Sequence, residues 1–143
     1  MSECTHNCDT CTLNCESKGG IQKEKANDKS SIKKAVAVVS GKGGVGKSLT
    51  TGLLATLAQR MGYKTAILDA DITGPSIPRM YKFTQPATAD GEALVPAVTA
   101  TGIKVMSVNL LLENETDPVI WRGPVIAGTV KQFYTDVNWG DID

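Results

Sequence analysis

Ala35-Val36-Ala37-Val38-Val39 is an unbroken apolar run that follows more than thirty predominantly polar positions. It shows no alternation, which predicts a parallel strand covered on both faces. A glycine-rich turn follows, Ser40-Gly41-Lys42-Gly43-Gly44-Val45-Gly46. Leu49, Leu53, Leu54, Leu57 and Met61 then recur at helical spacing and predict an amphipathic helix, with Gly62 where a helix terminator belongs. Thr65-Ala66-Ile67-Leu68 reads as a second buried strand, ending at Asp69-Ala70-Asp71. Strand, helix and strand in succession imply a right-handed parallel βαβ unit.

Further along, Phe83 to Pro96 is rich in loop residues, with Asp90-Gly91 as a hairpin turn. Ile103 to Val108 reads as a strand and Val125 to Val137 as a helix. The fold class expected is α/β, a mostly parallel sheet flanked by helices. Two regions are expected: a cysteine-rich tail and flexible linker over residues 1–33, and a globular part over 34–143.

Composition narrows the function. Hydrophobic residues are 41% and charged residues 21% of the 143, which suits a globular protein rather than a disordered one. Fifteen basic residues balance fifteen acidic ones, so bulk charge draws neither nucleic acid nor an anionic membrane. Aromatic residues are only 5%, too few for base-stacking platforms. No apolar run approaches the ~18 residues of a membrane span. The polar start, Met1-Ser2-Glu3-Cys4, has no signal-peptide core, so a cytoplasmic location is expected.

Gly41-Lys42-Gly43-Gly44-Val45-Gly46-Lys47-Ser48 matches the G-x-x-x-x-G-K-[ST] phosphate-binding loop. Its glycines let successive backbone N–H groups curl around phosphates, and the following helix aims its positive end at the same point. By this pattern Lys47 reaches the β- and γ-phosphates of ATP, and Ser48 holds Mg²⁺ through its hydroxyl. Asp69 and Asp71 stand at the carboxyl end of the second strand, where carboxylates serve the metal and the attacking water. Asp69 is assigned to the Mg²⁺ shell and Asp71 to positioning or activating water. Gly74-Pro75-Ser76 follows as a turn able to move with nucleotide state.

All four cysteines, Cys4, Cys8, Cys11 and Cys15, lie in the first fifteen residues, spaced C-x₃-C-x₂-C-x₃-C. They cannot staple anything beyond their own segment, and reduced thiols favour metal ligation. Structural zinc usually takes two C-x₂-C knuckles set further apart, so the compact spacing favours a [4Fe–4S] cluster over zinc or idle thiols. Glu16 stands where ferredoxins place a proline, and His6 is available as a substitute ligand.

Lys42 completes the deviant pattern K-G-G-x-G-K-[ST]. Together with Asp69-Ala70-Asp71-Ile72-Thr73-Gly74-Pro75-Ser76 and Trp121-Arg122-Gly123-Pro124, it resembles the Mrp-type iron–sulfur cluster carrier ATPases. These belong to the wider group of MinD, ParA and the nitrogenase iron protein, P-loop NTPases with a deviant Walker A motif. The resemblance runs from about Lys33 to the end. It implies a homodimer in which Lys42 reaches across to the partner's phosphates, and an ATPase that passes a cluster to apo iron–sulfur proteins. It also implies a continuation past Asp143, into a strand ending in an Asp-x-Pro-Pro-Gly switch and later a dimer-bridging C-x₂-C pair. That strand would lie between the P-loop strand and the strand ending at Asp71, so the chain is expected to be an N-terminal portion with an incomplete sheet. Other readings are a MinD- or ParA-like positioning ATPase, an electron donor like the nitrogenase iron protein, and a zinc-organised adaptor with a vestigial nucleotide site. The cysteine tail and the lack of a basic patch weigh against the positioning ATPase.

Overall fold

A computed structural model of the chain describes residues 24–71, 74, 76–83, 87–89, 91, 93–111 and 123–143. The sequence-predicted helix forms as α1 (Lys47–Arg60), entered through Gly46 in the left-handed region. It stops at Gly62, whose φ is +92°. There the Tyr63 N–H donates to the Ala58 carbonyl at 3.1 Å and the Gly62 N–H to that of Gln59 at 3.1 Å, closing the last turn in a Schellman arrangement that needs a left-handed residue.

A short strand β1 (Ser31–Ile32) precedes α1, and β2 (Ala66–Leu68) follows it. Then come a one-turn helix α2 (Ile77–Met80) and the strands β3 (Thr88–Ala89), β4 (Leu94–Val95), β5 (Ala97–Val98) and β6 (Lys104–Met106). A 3₁₀ turn over Val108–Leu110, helix α3 (Gly123–Thr135) and β7 (Asp141–Ile142) complete the order. Strands β3 and β4 pair antiparallel, with Gly91 at φ +90° in their connection, as the hairpin reading expected.

β2 and β6 pair in parallel, Ile67 opposite Val105, and β5 joins the far edge of β6 antiparallel. β1 and β7 also pair in parallel, Ile32 opposite Ile142. The two sheets touch where the Asp143 N–H donates to the Lys64 carbonyl at 2.9 Å, just before β2 begins. Lys33 grips Asp143 at 2.6 Å from the other side, holding its carboxyl below the usual range.

Alternation across the pleat divides the core in two. Ile67 and Val105 pack with Ala55 of α1, Ile77 of α2, Ile103 and Leu110. Met106, with Ala66 and Leu68, packs with Phe133 of α3, Val137, Trp139 and Ile142. Helices thus cover both faces, as an α/β fold requires. No described helix is long and apolar enough to cross a membrane.

Two expectations fail, and for one reason. Residues 35–39 are not a strand, and Val36 is 74% and Val39 83% exposed. The stripe Leu49, Leu53, Leu54, Leu57 and Met61 faces outward, leaving only Gly52 and Ala55 of α1 buried. A strand needs a neighbour's backbone. The ladder from β1 ends with the Lys33 N–H donating to the Ile142 carbonyl at 3.0 Å, at the last residue of β7. An open groove therefore separates residues 34–39 from β2, and the expected βαβ unit lacks its first strand. Ser31–Ile32, by contrast, sit within the folded part, ahead of the boundary expected at Lys34.

Candidate functional site

The loop ahead of α1 is shaped by its own chain. The Ser40 hydroxyl accepts from the Lys42 N–H at 3.2 Å, and Gly44 and Gly46 take φ of +72° and +92°, a region that side chains disfavour. A Cβ added at Gly41 or Gly43 would meet nothing within 4 Å. Internal packing therefore does not explain glycine at those two positions, whereas close approach of a phosphate to the backbone would. The first turn of α1 holds no acidic residue and no side-chain cap, so its N-terminal N–H groups keep their positive field.

Lys47 and Ser48 are half-buried in that first turn. Together with Asp69 and Asp71 they line a cavity of about 660 Å³. The rest of that cavity is the groove beside residues 34–39, with Ile67, Leu68, Trp139 and Ile142 along it. Four of the sequence-predicted residues thus line the same cavity. Lys42 and Gly43 to Gly46 do not line it, and Lys42 is exposed. Cys4, Cys8, Cys11 and Cys15 lie outside the described residues, as do Ile72, Thr73, Pro75, Trp121 and Arg122.

The two aspartates differ. Asp71 is exposed and accepts from the Gly74 N–H at 3.2 Å. Asp69 is only 7% exposed and is anchored by its own N–H, which donates to the Met106 carbonyl at 2.9 Å. Its carboxylate accepts from the Asp71 N–H at 3.1 Å and from the Ser107 hydroxyl at 3.4 Å. Burial pushes the Asp69 carboxyl above the usual range and the nearby Asp71 charge adds to this, while N–H donors of Asp71 and Ile77 oppose it. A cation at this point would relieve the buried charge.

Mg²⁺ fits the donor set. The Asp69 carboxylate and the Ser48 hydroxyl are hard oxygen ligands, and Mg²⁺ characteristically takes one or two protein oxygens beside phosphate and water. Among the described residues no group of three or more His, Cys, Asp or Glu could hold a metal ion unaided.

Two participants escaped the sequence reading. Ser107 is fully buried at the end of β6, and the rule that singled out Asp69, a polar residue at a parallel strand's carboxyl end, applies to it equally. Ser76 was read only as part of a turn, yet its hydroxyl is in hydrogen-bond contact with that of Ser48. No local pattern relates those two positions.

Residues 31–143 match the model of the ParA family described as NUBPL iron-transfer P-loop NTPase. An iron–sulfur cluster carrier protein of Clostridium perfringens is 49% identical over 120 residues, covering 78% of this chain and 42% of the relative. One from Methanococcus maripaludis is 44% identical over 148 residues, covering 99% of this chain and 51% of the relative. The solved structure of a nucleotide-binding protein from Archaeoglobus fulgidus, in complex with ADP, superposes with a TM-score of 0.66 at 42% identity. That superposition covers 81% of this chain and 43% of the other. The chain spans about half the length of the curated relatives it matches.

Proposed function

The chain belongs to the NUBPL iron-transfer P-loop NTPase family, and from that premise we propose that it is the nucleotide-binding portion of an ATP-hydrolysing iron–sulfur cluster carrier. The observation that carries the reading is that Lys47 and Ser48, on the first turn of α1, and Asp69 and Asp71, after β2, line a single cavity. A P-loop, an ammonium, a hydroxyl and two carboxylates are the parts that phosphoryl transfer to water requires.

In this reading the loop Gly41 to Gly46 cradles the phosphates of ATP and Lys47 neutralises the β- and γ-oxygens. Ser48 and Asp69 hold Mg²⁺, which when bound screens the phosphate charge. Asp71, the exposed carboxylate, orients the attacking water. Lys42, exposed and outside the lining of its own cavity, suits the proposed role across a homodimer, where it stabilises transition-state charge on the partner's nucleotide. Cys4, Cys8, Cys11 and Cys15 hold a [4Fe–4S] cluster as cargo, passed on to apo iron–sulfur proteins. The relatives' names support the carrier reading, and the A. fulgidus protein's ADP supports the choice of nucleotide.

Calorimetric titration of the chain with MgATP tests the site. Binding is expected, with Lys47→Ala losing it, because a charge-assisted contact worth roughly 1.5–3 kcal/mol disappears. Equal affinity in the parent and the variant would reject the assignment.

A further inference from the structure

We infer that Ser76 is a positioning residue for the magnesium ligand Ser48, and that this contact ties α2 to metal occupancy. The inference rests on the nucleotide-site reading above.

A serine at the start of a helix ordinarily turns its oxygen back to accept from the second or third N–H of that helix. Ser76 occupies this position before α2 and makes no such bond. The second helical residue is Pro78, which has no N–H to offer. The hydroxyl meets Ser48 Oγ instead, reaching across to α1.

The rest of α2 is registered on α1 by further contacts. The Tyr81 hydroxyl donates to the Gly52 carbonyl at 3.0 Å and meets Thr56 Oγ1 at 3.1 Å. Met80 Sδ lies over Gly52, where an added Cβ would sit 2.4 Å from it and the flexible methionine side chain would have to move aside. The Ile77 N–H, next along from Ser76, bonds Asp69. Ser76 thus touches one of the groups assigned to the metal, and the N–H of its neighbour Ile77 bonds the other.

Hydroxyl chemistry gives this placement a consequence. A serine oxygen that coordinates a cation directs a lone pair at the metal, and its proton must point elsewhere. Ser76 Oγ is the acceptor in reach. In the present structure Ser76 donates and Ser48 accepts. With Mg²⁺ on Ser48 the bond reverses, Ser48 donating to Ser76, which fixes the rotamer and strengthens Ser48 as a ligand. Outer partners of this kind are typically worth ~10-fold or more in metal affinity.

The test measures ADP affinity with Mg²⁺ and again in excess EDTA, for the parent chain, Ser76→Ala, Ser76→Thr and Tyr81→Phe. Ser76→Ala is expected to weaken Mg²⁺-dependent binding by ~10-fold and leave metal-free binding as in the parent. Ser76→Thr retains the hydroxyl and restores the magnesium effect. Tyr81→Phe, which loosens α2 without touching Ser48, keeps it. An unchanged magnesium effect in Ser76→Ala overturns the inference. So does an equal loss of metal-free binding, which marks a merely structural contact. A parent chain that binds no nucleotide removes the underlying site reading as well, an outcome distinct from the other two.

Discussion

Replacing Val36 by aspartate separates two accounts of residues 35–39. If the run were a central strand covered on both faces, the new carboxylate would be buried without a partner, at a cost of several kcal/mol. In the structure Val36 is 74% exposed. Only about a quarter of its surface is withdrawn from water, so of the roughly 1.5–3 kcal/mol available to a fully buried valine, less than ~0.8 kcal/mol is at stake. Surface substitutions of this kind usually fall within ~0.5 kcal/mol of neutral. Val105, fully buried on β6, is the internal control. Val105→Asp should lose several kcal/mol, a large part of a domain's ~5–15 kcal/mol, and leave the chain largely unfolded. Urea unfolding followed by far-ultraviolet circular dichroism gives the midpoint and slope for each variant. A loss above ~2 kcal/mol for Val36→Asp at unchanged slope would refute the exposed assignment and restore the buried strand. The same substitution should become costly once a strand fills the groove between residues 34–39 and β2.

Asp69→Asn should raise the melting temperature of the nucleotide-free chain at neutral pH and weaken Mg²⁺-dependent nucleotide binding. The sign follows from the raised pKa: the folded state holds the Asp69 proton to higher pH than the unfolded state, so the parent loses stability as pH rises through that interval, and the amide has no such loss. A lower melting temperature for Asp69→Asn at neutral pH would contradict the burial argument. Lys42→Ala should keep most of the nucleotide affinity and lose turnover, checked by titration and phosphate release; turnover at the parent rate removes the trans-acting role. Deleting residues 1–23 discards all four cysteines and spares Ser30, which accepts from the Trp139 N–H at 2.8 Å, together with the β1 pairing. Nucleotide affinity should persist while iron and acid-labile sulfide after anaerobic reconstitution are lost; unchanged iron per chain would place the cluster elsewhere.

What was legible in the sequence is what neighbours within a few positions decide. Lys47 to Arg60 is helical because of its residues and its stop at Gly62, and β2 ends where Asp69 begins. The strand expected over 103–108 and the helix over 125–137 correspond to elements of the fold, and the strands flanking Gly91 pair as a hairpin. Glycine positions and the G-K-S signature pointed to a phosphate-binding loop for the same reason, since loop geometry and helix field are local properties. Tertiary structure decided the rest. An apolar run states that a segment is suited to burial, not that anything is present to bury it, and so Val36, Val39 and the leucines of α1 stand in solvent. β1 escaped notice because two residues make no pattern; they become a strand only when positions 141–142 arrive from the far end of the chain. Ser76 beside Ser48 and Ser107 beside Asp69 are likewise products of packing, where helices and strands distant in sequence bring hydroxyls to groups that local spacing cannot relate.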